Sequence, residues 1–269
     1  MSLKRQSDCR ALAYLALNPG CDALREKEFM ANYKLKLKNR EEIAEGTMAF
    51  FLEKPADFDF KAGQFARLTL IDPPETDAKG NGRTFTIASA PYEEDLMIVT
   101  RMRDTAFKRV MRTIPLGTEI SLKGPYGSLA LHDDAARPAV FLTGGIGITP
   151  FRSILLQAAK DRLDHRLFLF YSNRRPEEAA FLRELMELES ESQNYRFIGS
   201  MTGMSSSKES WQGETGYINR EMIATMIDDL LSPVYYVAGP QAMVAAMQKM
   251  LNDAGVSEEN ISVEEFGGY

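Results

Sequence analysis

The sequence predicts an α+β chain of two domains, an antiparallel β-barrel followed by an α/β domain on a parallel sheet. Two observations carry this. From Tyr33 to Leu131 short β-rich runs are separated by turn residues, and after Arg137-Pro138 apolar strands alternate with helical segments. A chain of 269 residues, 44% of them hydrophobic, is long enough to give each half its own core.

In the first half the predicted strands are Tyr33–Leu37, Met48–Leu52, Phe65–Ile71, Arg83–Ala88, Leu96–Met102 and Glu119–Leu122. Asp72-Pro73-Pro74, Gly80-Asn81-Gly82 and Gly124-Pro125 punctuate them, since proline fixes φ and glycine reaches turn conformations closed to other residues. One helix interrupts, Thr105–Arg112, with Phe107, Val110 and Met111 on one face. Residues 1–30 mix charge with Ala and Leu in a weak helical pattern and read as an extension or a misplaced start before Met30. The expected division is residues 1–30 as extension, 31–136 as barrel and 137–269 as α/β domain.

In the second half strands Ala139–Thr143, Leu167–Tyr171, Tyr195–Ile198, Val234–Val237 and Ile261–Val263 are predicted. Helices Pro150–Ala159, Glu177–Leu188, Arg220–Met226 and Gln241–Ala254 are predicted between them, the rhythm of a parallel sheet wrapped by helices. Gly203–Gly213, rich in Ser and Gly, is the expected mobile loop.

A formal charge of −6 and a pI of about 5.2 exclude a general positive field for nucleic acid or anionic lipid. Cys9 and Cys21 are too few for a disulfide scaffold and lack the spacing of an iron–sulfur cluster, and no metal site is expected. Redox chemistry would therefore need a non-covalently held organic cofactor. No run of about 18 apolar residues is present, so no membrane span is expected and the cytoplasm is the expected location.

Strand Ala139–Thr143 runs into Gly144-Gly145-Ile146-Gly147-Ile148-Thr149-Pro150 and then a helix, which presents backbone amides where a pyrophosphate would sit. Glycine allows close approach, and Pro150 is expected at the first helical position. No Gly-Lys-Ser/Thr follows, so this is not a Walker A loop. A second such turn, Ala238-Gly239-Pro240, follows Val234–Val237. Thr143, Gly144, Gly145, Gly147, Thr149, Pro150, Gly239 and Pro240 are thus candidate nucleotide contacts beyond the carboxyl ends of the strands.

Five segments then fall in a telling order: Arg83-Thr84-Phe85-Thr86-Ile87-Ala88-Ser89, Gly-Pro-Tyr-Gly at 124–127, the glycine turn at 144–150, Ala-Gly-Pro at 238–240 and Glu-Glu-Phe-Gly-Gly-Tyr at 264–269. In this order they resemble the ferredoxin–NADP reductase family, over roughly Tyr33 to Tyr269. The resemblance implies that the barrel binds FAD and the α/β domain binds NADPH or NADH. It puts the Arg83 guanidinium on the flavin pyrophosphate, stacks Phe85, where the family usually has Tyr, on the isoalloxazine, and sets Thr86 near flavin N5. Ile98, Thr100 and Arg101 would follow the ribityl and phosphate groups, and Thr105 with Ala106 would meet the second phosphate. The other flavin face is left to Tyr269 or Phe266.

After the second strand of the α/β half the sequence reads Tyr171-Ser172-Asn173-Arg174-Arg175, with no terminal acid for ribose hydroxyls. This favours NADPH, with Ser172 and Arg174 as contacts; the family's later Ser-Arg pair appears as Ser200-Met201. The implied reaction passes hydride between NAD(P)H and FAD and single electrons to or from ferredoxin or flavodoxin, with Thr86 and Tyr269 nearest the chemistry. Alternatives are a reductase component for an oxygenase, free flavin or a ferric substrate, or a flavin-binding regulatory module without turnover. Residues 101–123 carry six basic against two acidic side chains, either a solvated face or a docking patch for an acidic carrier. His132 and His165 fall outside the motifs and are given no catalytic role.

Overall fold

The structure is a computed structural model that describes residues 32–266. The expected extension and Tyr269 lie outside the described residues.

Six strands form the first sheet: β1 Asn32–Ala44, β2 Thr47–Glu53, β3 Phe65–Leu70, β4 Gly82–Thr86, β5 Asp95–Arg101 and β6 Glu119–Tyr126. Their order is β4-β3-β6-β1-β2-β5, every pairing is antiparallel, and the Ile87–Ile98 bridge joins the two ends into a barrel. Alternation fills the interior, as in β3, where Ala66, Leu68 and Leu70 are buried. Helix α1, Ala106–Thr113, adds Phe107, Val110 and Met111 to the barrel core, the face expected from the sequence. β1 runs well past Leu37, because its hairpin with β2 continues through the solvated Asn39–Glu42, where alternation carries no hydrophobic signal.

The second sheet is wholly parallel and comprises β7 Ala139–Gly144, β8 Leu167–Asn173, β9 Tyr195–Met201, β10 Glu214–Thr215, β11 Val234–Pro240 and β12 Ile261–Phe266. Its order is β10-β9-β8-β7-β11-β12. Every residue of β7 is buried, as a central strand covered on both faces requires. Helices α2 Ile148–Lys160 and α3 Leu182–Glu191 pack on one face through Phe151, Leu155 and Leu185. Helices α4 Arg220–Ala224 and α5 Gln241–Asp253 cover the other through Met222, Val244 and Leu251. The chain leaves β7 toward β8 and returns on its other side as β11, so the sheet's switch point lies where the two glycine turns stand.

Two expectations need correction. The helix expected over Glu177–Leu188 breaks into a 3-10 turn, Pro176–Glu178, and α3, which begins only at Leu182 after Phe181 at φ 61°. The break turns Glu178 inward to two arginines, which a continuous helix would not do. Pro150 is the third residue of α2, still within the turn whose N–H groups have no intrahelical acceptor. The Gly203–Gly213 loop contains a 3-10 turn at Met204–Ser206 and leads into the two-residue strand β10, too short to read from sequence.

The two sheets are joined by Arg152 of α2, which is 4% exposed. Its Nε and Nη2 donate to Glu184 at 2.7 and 2.6 Å, its Nη1 and Nη2 to Glu93 at 2.8 and 3.1 Å, and its Nη1 to the Ala88 carbonyl at 2.9 Å. All five guanidinium N–H groups are thereby used. The guanidinium also lies over the Phe181 ring at 4.7 Å, and Ser153 donates to the Ser89 carbonyl at 2.8 Å. Arg152→Ala leaves two carboxylates facing a vacated site and should cost about 3 kcal/mol of unfolding free energy, discounted for their partial exposure. Urea unfolding measures this; a loss below about 1 kcal/mol would show that the guanidinium is not what holds the sheets together.

Candidate active site

Between the sheets lie two cavities of about 670 and 680 Å³ that share Arg101 and Arg103 in their walls. The first takes Arg83, Phe85 and Thr86 from the end of β4, Val99, Thr100 and Arg101 from β5, and Thr105 and Lys108 from the start of α1. Ile146 and Thr149 from the β7–α2 turn and Glu264, Glu265 and Phe266 from β12 close it.

The Arg83 guanidinium is already engaged. Its Nη2 donates to both oxygens of Asp77 at 2.6 and 2.8 Å, and its Nη1 to the carbonyls of Gly80 and Gly82 at 2.8 Å. Asp77 also receives the Ala106 amide at the start of α1, and these bonds, Arg83 first, hold its carboxyl below the usual range. An internal carboxylate thus stands between the two positive groups expected to meet a pyrophosphate. The Lys108 amine is pushed down to about 8, first by burial and then by Arg103 and Arg83, and it donates to the Arg101 carbonyl at 2.6 Å.

In the same lining Thr86 is buried and its Oγ1 has no hydrogen-bond partner, as is the case for Glu264 Oε2. Burial alone pushes the Glu264 carboxyl up to about 7. Buried polar atoms are normally satisfied, so two orphans lining one cavity mark where a polar ligand edge fits. Phe85 leans on Phe107, ring centres 5.6 Å apart, and Phe266 is half-buried in the cavity wall. The Ile98 side chain is instead 1% exposed in the barrel core, and Val99 takes the wall. Ala106 is likewise buried and offers only its backbone.

The second cavity is lined by Gly144 and Gly145, by Ser172, Asn173 and Arg174 at the end of β8, by Thr202 and Tyr217, and by Pro240 and Met243. A Cβ on Gly147 would stand 2.4 Å from the Ala238 carbonyl oxygen, so this glycine permits β7–β11 packing rather than ligand approach. Gly239, at φ 154°, would bring a Cβ to 3.2 Å from the Gly144 nitrogen. Thr143 turns inward, its Oγ1 donating to Ala238 at 2.8 Å, and Thr149, in the wall of the first cavity rather than the second, donates its Oγ1 to Ile146 at 3.0 Å. Pro150 is buried away from both cavities. Ser200 Oγ donates to Gly216 at 2.6 Å and ties β9 to the next segment, and Met201 is buried, so neither faces the cavity. His132 and His165 stand outside both cavities, His132 against Tyr236 Oη at 3.0 Å.

Glu264, Lys108, Asn173, Thr202 and Tyr217 were not singled out from the sequence. Glu264 sits two residues before Phe266 on one face of β12, a spacing that could have pointed to it once the strand was known to run so far. Tyr217, 80% exposed, gives no periodic signal in its loop.

Residues 141–249 match the family model described as an oxidoreductase NAD-binding domain. The whole arrangement superposes on a ferredoxin NADP+ reductase from Neisseria gonorrhoeae solved with bound FAD and NADP, with a TM-score of 0.73 and 23% identity over 87% of this chain and 98% of that one. The chain has the fold of the ferredoxin–NADP reductases. A cytochrome P450 reductase from Amycolatopsis has the same fold, with a TM-score of 0.75 and 20% identity over 88% of this chain and 70% of its own. Among sequence relatives, the glycine betaine monooxygenase reductase subunit of Chromohalobacter salexigens is 28% identical over 82% of this chain. A Na(+)-translocating NADH-quinone reductase subunit of a Marinomonas species is 30% identical over 68% of it. The chain spans 60% and 44% of those two relatives.

The Glu264 carboxyl, raised from 4.5 to about 7, binds its proton more tightly folded than unfolded. The stability this contributes is therefore complete below about pH 4.5 and is lost as pH rises through about 7. Glu264→Gln in the ligand-free protein should match its parent at acid pH and exceed it in urea midpoint at about pH 8. Equal midpoints at both would show that the carboxyl is not desolvated.

Proposed function

We propose that this chain is a flavin-dependent reductase that takes hydride from NADPH and passes electrons singly to a separate protein acceptor such as ferredoxin or flavodoxin. The observation that carries this is the meeting of the two cavities at Arg101 and Arg103, which gives a ring ligand in one access to a dinucleotide in the other. On this reading residues 31–136 bind FAD and residues 137–269 bind the nicotinamide dinucleotide.

The residues present fit FAD. The orphaned Thr86 Oγ1 and Glu264 Oε2 belong to residues that line the first cavity, and Arg83 and Lys108 in the same lining offer charge for phosphates. Phe85 and Phe266 supply aromatic surface, and Phe266 is the described candidate for the flavin face left open between it and Tyr269. A bound flavin would supply hydride acceptance and one-electron release. The chain's part is to orient the ring through the Thr86 hydroxyl, to hold a proton near neutral pH on Glu264, and to exclude water with Val99 and Ile146. NADPH is favoured over NADH because Ser172 and Arg174 face the second cavity and no carboxylate ends β8.

A second acceptor class is an oxygenase, and the observation favouring it is that the Chromohalobacter relative is named a monooxygenase reductase subunit. No described helix is long and apolar enough to cross a membrane. We assign the cytoplasm as compartment on the two-cysteine composition.

Purified protein should release FAD, and anaerobic NADPH should bleach its flavin absorbance. A flavin that stays oxidised would leave only a binding module. Thr86→Val should keep the flavin yet slow this reduction about ten-fold, or about 1.4 kcal/mol of activation free energy. Mixing the reduced protein with ferredoxin, flavodoxin or an oxygenase component separates the acceptor classes.

A further inference from the structure

The chain contains two histidines, and they stand together. His132 and His165 are 33 residues apart in sequence, yet their rings meet edge to face with centres 5.1 Å apart. Histidine is the side chain whose ordinary titration falls between about pH 5 and 8, so both such groups act at one place.

That place is a joint of the fold. Every strand of the barrel ends by Tyr126 and every strand of the parallel sheet begins at Ala139 or later, so residues 127–138 are the single covalent crossing between them. The crossing carries no helix or strand. At the barrel it lies on Gly63, where an added Cβ would stand 2.5 Å from the Leu129 carbonyl oxygen. At the sheet it is held through the histidines. The His132 backbone N–H donates to Tyr236 Oη on β11 at 2.9 Å, and the His132 ring Nδ1 lies 3.0 Å from the same oxygen. His165 Nε2 donates to the His132 carbonyl at 2.8 Å, and His132 Nε2 donates to the Arg137 carbonyl at 3.2 Å.

These contacts fix the protons. A carbonyl only accepts, so both Nε2 atoms carry hydrogen, and the Tyr236 hydroxyl gives its own hydrogen to the bare His132 Nδ1. His165 Nδ1 is buried with no hydrogen-bond partner. A proton added to His132 would set a second donor against the tyrosine oxygen and leave the hydroxyl hydrogen without an acceptor; one added to His165 would be buried unmet. Neither ring forms an ion pair among the described residues. The charged groups nearby are Arg137 and the exposed Asp133 and Asp134 on the crossing, with exposed Asp164 and Arg166 flanking His165 and the Tyr236 phenol facing from β11. Burial first, then His165 and the Arg137 charge, holds the His132 ring below the ordinary value of 6.5, against the Arg137 carbonyl, which raises it.

We propose that His132 and His165 form an acid-sensitive latch on the crossing between barrel and parallel sheet. With both rings neutral, residues 127–138 are pinned to β11. With either ring protonated the pin is lost, and the crossing loosens while Arg152 still joins the two sheets. The latch is independent of which ligands the cavities take.

Hydrogen exchange of the full chain read by mass spectrometry at about pH 7.5 and 5.5, corrected for the intrinsic rate at each pH, tests this. Protection of residues 127–138 should fall at least about ten-fold at the lower pH while β7 and β11 keep theirs. The double variant His132→Gln, His165→Gln removes both titrations and should show no pH dependence in that segment. Tyr236→Phe removes the oxygen that anchors His132 and should leave the segment weakly protected at both. With two histidines in the chain, ring-proton resonances assigned through His132→Gln should place the His132 midpoint below 6.5. Unchanged protection in the parent would overturn the latch, as would an acid loss that persists in the double variant, which would belong to another group such as Glu264. Loss spread evenly through β7 and β11 would also overturn it, because that is unfolding of the whole sheet rather than release of the crossing.

Discussion

Arg152 uses every donor of its guanidinium across the boundary between barrel and sheet. A charge this deeply buried is tolerable only if its donors are met, and the groups that meet them come from three places: the Ala88 carbonyl just after β4, Glu93 in the following turn and Glu184 on α3. The residues it fixes are neighbours of the ones that matter. Ala88 stands two positions past Thr86, and Arg152 follows Thr149 by three, one turn along α2. The walls of the first cavity thus keep their spacing because a rigid fork joins the elements that carry them.

The electrostatics of the cleft run against the sign of the whole chain. An acidic protein gathers Arg83, Arg101, Arg103 and Lys108 around one cleft, where the Lys108 amine is pushed down first by burial and then by Arg103 and Arg83. Asp77 relieves part of it by holding Arg83 and the Ala106 amide together. The same cavity also holds Glu264, whose carboxyl keeps its proton to near neutrality. One space therefore combines basic groups suited to phosphates with aromatic and unsatisfied polar surface suited to a ring.

Much of this was legible in the sequence, and the limits are physical. Alternation in β3 and the apolar run of β7 report burial directly, so strand identity and layer order followed from them. The glycine turns were visible because backbone approach leaves a compositional trace, yet sequence could not separate Gly144, which borders a cavity, from Gly147, which serves only packing. Thr143 and Ile98 were misjudged for a common reason: a motif places a residue at a position but does not say which neighbour claims its side chain. Glu178 broke an expected helix because a distant arginine on β5 outweighed local propensity. Glu264 escaped because solvation, unlike periodicity, is a property of the assembled fold.

Strand β12 carries Glu264 and Phe266 to the cavity, but among the described residues it is an edge strand, hydrogen-bonded to β11 along one flank only. The wall it forms is thus mechanically the softest of those around the cleft, a single ladder between Tyr235–Ile261 and Pro240–Phe266. Load applied at that flank, whether from a fused tag, a crystal neighbour or a pairing strand, would be transmitted straight to the carboxyl and the aromatic ring. Attachments for labelling or immobilisation are better placed on the far edge, where β10 offers a ladder remote from both side chains.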